Sequence, residues 1–68
     1  MNEMNDVRVI PHIPVTFIQR GGKPAKWPTW VIGELPRSGD IVFSEDGIRG
    51  TVEDRAFYPN GRIVIFVL

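Results

Sequence analysis

From Val7 onward, apolar residues recur at every second position: Val7, Val9, Ile13, Val15 and Phe17 share one parity, and Arg8, His12, Thr16 and Arg20 share the other. A period of two is the mark of a half-buried β-strand. Pro11 and Pro14 each lack a backbone donor. The segment therefore reads as a short strand near residues 7–10 and a longer one near 13–19, with an edge, bulge or bend between them. Residues 1–6 are polar and aperiodic and read as a flexible N-terminus, leaving 7–68 as one domain.

The pattern continues in short β-prone runs. Residues 20–26, RGGKPAK, form a loop whose two glycines can take the positive φ of a tight hairpin, and residues 27–33, WPTWVIG, read as the returning strand. Residues 34–39 are a turn segment, 40–44 (DIVFS) a short strand, and Ser44 to Gly47 a turn carrying the Asp-Gly signal. Between 48 and 57 the alternation resumes, placing Ile48, Gly50, Val52 and Ala56 on one face and Arg49, Thr51, Glu53 and Arg55 on the other. Tyr58-Pro-Asn-Gly61 has the chemistry of a hairpin turn. Residues 62–68 differ from everything before them, because Ile63, Ile65 and Val67 on one parity and Val64, Phe66 and Leu68 on the other are all apolar, which predicts a strand covered on both faces. No window of eleven residues escapes a proline, a glycine pair or a β-branched run, so no amphipathic helix is expected. Five or six short strands with closely spaced turns predict a small all-β, antiparallel barrel.

Composition narrows the function classes. A chain of 68 residues builds only a thin core. With no cysteine and one histidine, neither a disulfide nor a structural metal is expected to reinforce it, which leaves association with another chain. Eight basic residues balance eight acidic ones, so there is no global field to drive binding to nucleic acid or an anionic membrane. No apolar run approaches the roughly 20 residues of a membrane span, and the first residues lack the pattern of a secretory signal, so the expected location is the cytoplasm.

Residues 35–43, LPRSGDIVF, followed by Gly47, Gly50 and Val52, resemble the opening of small Src-homology-3-type barrels, and more narrowly their KOW and Tudor branches. The resemblance covers about half the chain and implies a barrel fold. Free-standing barrels of this sort resemble many short bacterial and phage proteins that act as adaptors or inhibitors, and the resemblance does not choose among them. The chain departs from the KOW pattern at Ser44, Glu45 and Asp46, an acidic stretch where that family is basic, and this speaks against nucleic-acid binding through the segment.

Candidate chemistry is sparse. His12 has no sequence-local nucleophile or acid beside it and reads as an edge histidine, and no ligand spacing suggests a metal. The pairs Glu45-Asp46 and Glu53-Asp54 read as solvated, with Arg49, Glu53, Arg55 and Arg62 forming cross-strand ion pairs. Arg20, Lys23 and Lys26 gather positive charge in one loop ahead of Trp27 and Trp30, of which only one can point inward from a regular strand. Tryptophan and arginine dominate protein-binding hot spots. Basic groups beside exposed rings also hold single-stranded nucleic acid. These five residues, with Tyr58, form the expected partner surface; Val64, Phe66 and Leu68 form the expected self-association surface, unless the segment from Val7 to Ile13 folds over it. The reading is a non-enzymatic binding module without cofactor or metal, with a protein partner and a possible homodimer. A KOW-like nucleic-acid binder that uses residues 20–26 with Trp27 and Trp30 is the alternative.

Overall fold

A computed structural model describes residues 10–68 and shows an all-β chain. The flexible start expected at 1–6 and most of the strand expected near 7–10 lie outside the described residues. Among the described residues six strands form: β1 (His12–Pro14), β2 (Thr16–Gln19), β3 (Trp30–Ile32), β4 (Ile41–Phe43), β5 (Arg49–Phe57) and β6 (Ile63–Val67). They make a two-stranded ribbon, β1-β3, and a four-stranded sheet in the order β2-β6-β5-β4. Together these curl into a half-barrel that fits the Src-homology-3-type class expected from the sequence. Among the described residues no helix is long and apolar enough to cross a membrane.

The strand expected over 13–19 is split at Val15, where the chain leaves one sheet and enters the other. Val15 is buried, and its N–H donates to the Thr29 carbonyl at 2.9 Å. The expected tight hairpin across residues 20–26 does not form. β2 pairs in parallel with β6, Thr16 opposite Val64 and Gln19 opposite Val67, while the returning strand β3 pairs with β1. The intervening loop thus bridges two sheets. The strand expected over 27–33 shrinks to three residues, because Pro28 has no donor and Trp27 turns its ring inward.

β6 lies between β2 and β5, as its two apolar parities require. Ile65 and Val67 join Val15 and Val52 in the core, with Ile13, Phe17, Trp27 and Val42 packed against them. Val64, on the opposite parity, is only 1% exposed. It is therefore covered within the chain itself and is not available to a second copy, contrary to its expected place in a self-association surface. Phe66 is half-buried and Leu68 is exposed.

A bulge in β5 overturns one facial assignment. Val52 stands opposite Val67 and Asp54 opposite Phe66, so the two residues Glu53 and Asp54 are accommodated against one step of β6. The parity flips there. Ala56, opposite Val64, consequently leaves the face of Gly50 and Val52, where simple alternation had put it.

Candidate functional site

The loop after β2 is organised by one side chain. The Gln19 amide donates to the Gly21 carbonyl at 2.7 Å and to the Lys23 carbonyl, and its oxygen accepts the Trp27 indole N–H at 3.0 Å. Gly22, at φ 72°, makes the reversal. The far end of the loop is tied to the β4–β5 turn: the Lys26 N–H donates to Asp46 Oδ1 at 3.1 Å, the Glu45 N–H donates to the Lys26 carbonyl at 2.8 Å, and the Lys26 ammonium lies 3.6 Å from Glu45. Ser44 completes that turn by donating its hydroxyl proton to Asp46 and accepting the Ile48 N–H at 2.8 Å. The Ser44 hydroxyl, followed by the Lys26 N–H, holds the Asp46 carboxyl below its ordinary range.

The residues expected to form one partner surface are dispersed by the fold. Arg20 lies over the Phe66 ring, 4.2 Å from its centroid, with its guanidinium 3.5 Å from Glu53. Trp27 stacks on Phe17 at 5.2 Å and 21° between planes, so its ring belongs to the interior rather than to an external surface. Lys23 is exposed and has no ion pair among the described residues. Tyr58 follows the end of β5 where Phe57 opposes Ile63, whereas the basic loop leaves from Gln19 opposite Val67 at the other end of the ladder. Four steps of strand, about 13 Å, separate the two ends. The expected arginine–carboxylate pairs of the hairpin are replaced as well: Arg55 lies over Phe57 and Arg62 over Tyr58, at 5.5 and 5.8 Å.

Trp30 is the indole left outside. Opposite it on β1 stands Pro14, and the next pair on the same side is His12 with Ile32. All four are exposed, the His12 and Trp30 rings meet edge to face at 4.8 Å, and a shallow cavity of about 430 Å³ opens among His12, Pro14, Thr29 and Trp30. Ile13 and Val31, on the reverse side of the ribbon, pack against the core. Sequence reasoning missed His12, Pro14 and Ile32 as members of this face. The available signal was parity: 12 and 14, like 30 and 32, alternate with residues that must point inward.

Among the described residues no three histidine or carboxylate side chains gather as a metal site. No protein-family model matches the chain, and no curated protein or solved structure matches it.

Proposed function

We propose that this chain is a non-enzymatic protein-binding module, an adaptor or inhibitor that acts by occupying the surface of a larger protein. The observation that carries the reading is the outer face of the β1-β3 ribbon, where Trp30, Pro14, His12 and Ile32 stand exposed on a scaffold whose reverse side is locked into the core. A rigidly mounted tryptophan ringed by apolar side chains is the usual anchor of a protein interface. The nucleic-acid alternative draws less support. Trp27 is partly buried with one face already stacked on Phe17, and the charges of Arg20 and Lys26 are partly offset by Glu53 and Glu45.

The test compares the immobilised chain with its Trp30→Ala variant in extract from the source organism, after both are shown to melt alike. Protein species retained by the native chain and depleted at least tenfold on the variant are the expected result. Equal retention by both refutes it. So does indole quenching by single-stranded oligonucleotides at low salt that vanishes as salt is raised.

A further inference from the structure

The half-barrel has an open seam between β3 and β4, which belong to different sheets. On β4, the Asp40 carbonyl accepts from Val52 and the Ser44 N–H donates to Ile48, both at 2.9 Å, so residues 40, 42 and 44 direct their backbone groups toward β5. By the alternation of an antiparallel ladder, Ile41 and Phe43 direct theirs away from it. β3 repeats the arrangement. The Thr29 carbonyl accepts from Val15 and the Gly33 N–H donates to the Pro11 carbonyl at 3.1 Å, which leaves the groups of Trp30 and Ile32 turned away from β1. None of these outward groups has a hydrogen-bond partner among the described residues. A cleft of about 430 Å³ opens at the seam, with Val31 on one side, Ile41 and Val42 on the other, and Leu35 and Pro36 among its walls.

We propose that this seam accepts an extended segment of a partner polypeptide, which lies along β4 as an added strand and seats alternate apolar side chains in the cleft. This rests on the protein-binding reading and names the form of the ligand. Two observations select the occupant. Backbone donors and acceptors at a strand edge call for another extended backbone, not for a small molecule. Charge narrows the segment further, since among the described residues Glu34 and Asp40 line the cleft against one cation, Arg37, favouring a strand that carries a basic residue over an acidic one.

The experiment selects a phage-displayed random dodecapeptide library against the immobilised full chain and measures the enriched sequences as synthetic peptides by fluorescence anisotropy. Expected are sequences with alternating apolar residues and few acidic ones. N-methylation at one set of alternate positions should weaken binding at least tenfold, while N-methylation at the intervening set should not. Phe43→Pro removes an outward N–H that β5 does not use, so it should weaken binding at least fivefold beyond Phe43→Ala. Absence of enrichment, equal binding by Phe43→Pro and Phe43→Ala, or indifference to N-methylation at every position overturns the proposal. Peptides lost on Trp30→Ala but indifferent to the β4 substitutions overturn strand addition while leaving the binding module standing. A mass near twice 7.7 kDa that reverts in Phe43→Pro assigns the edge to a second copy and likewise overturns it.

Discussion

Gly50 lies where β5 passes beneath the Trp27 ring, and replacing it with alanine probes the packing that joins the basic loop to the core. A Cβ at this position would stand 2.9 Å from Cη2 and 3.3 Å from Cζ2 of Trp27, and 3.5 Å from the Val67 Cβ. Carbon atoms in contact settle near 3.5–4.0 Å, so the ring or the strand must move by roughly 0.6–1 Å. The tip of a long side chain often yields at little cost. Here it is restrained, because Phe17 backs the ring and Gln19 holds its N–H at 3.0 Å. Overpacking of this kind costs about 1–3 kcal/mol, and the alanine returns about 0.5–1 kcal/mol by narrowing the freedom of the unfolded chain. With the ring held by Phe17 and Gln19 the overpacking cost falls in the upper part of its range, about 2–3 kcal/mol, and the net loss of about 1–2.5 kcal/mol lowers Tm by roughly 4–20 °C in a domain of this size. Far-ultraviolet circular dichroism during heating measures it. In a Trp27→Leu background the same substitution should cost under about 0.5 kcal/mol, giving a coupling of about 1 kcal/mol between the two positions. A Gly50→Ala chain as stable as the native one, or an equal cost in both backgrounds, refutes the argument.

Ser44→Ala strands the partly buried Ile48 N–H, and urea denaturation should show a loss of about 1 kcal/mol; no loss means the amide finds another partner. The folded-state pKa of Asp46 is lowered, so its contribution is present above the ordinary carboxylate pKa and fades as pH falls through and below that value. The margin by which the native chain out-melts Asp46→Asn should therefore narrow below about pH 4, and a margin constant from neutral to strongly acidic solution would contradict the assigned hydrogen bonds.

Much of the fold could be read in advance because period-two alternation is a local signal. The strands β4, β5 and β6 fall within one residue of the runs 40–44, 48–57 and 62–68, and the doubly apolar run at 63–68 correctly marks a central strand. Alternation reports that a strand has a covered face; it does not report which strand lies beside it. The parallel union of β2 with β6 and the transfer at Val15 were hidden for that reason. The candidate site was less legible still. The clustering of Arg20, Lys23, Lys26 and Trp27 in sequence suggested one surface, yet Gln19 folds the loop back and draws Trp27 inside. Nothing at residue 19 announces that role.

By their order alone, these 68 residues commit the chain to short strands punctuated by glycine and proline turns, to neutrality, and to a final strand needing cover on both sides. These properties come from each residue's conformational preference and its affinity for water, which act over a few neighbours. The tertiary arrangement decided what depends on distant partners: which indole is buried, which arginine meets Glu53, where the bulge reverses the faces of β5, and which strand edges stay open. Each follows from residues far apart in the chain competing for the same small interior. The choice of occupant belongs to the packed whole and is written in no single segment.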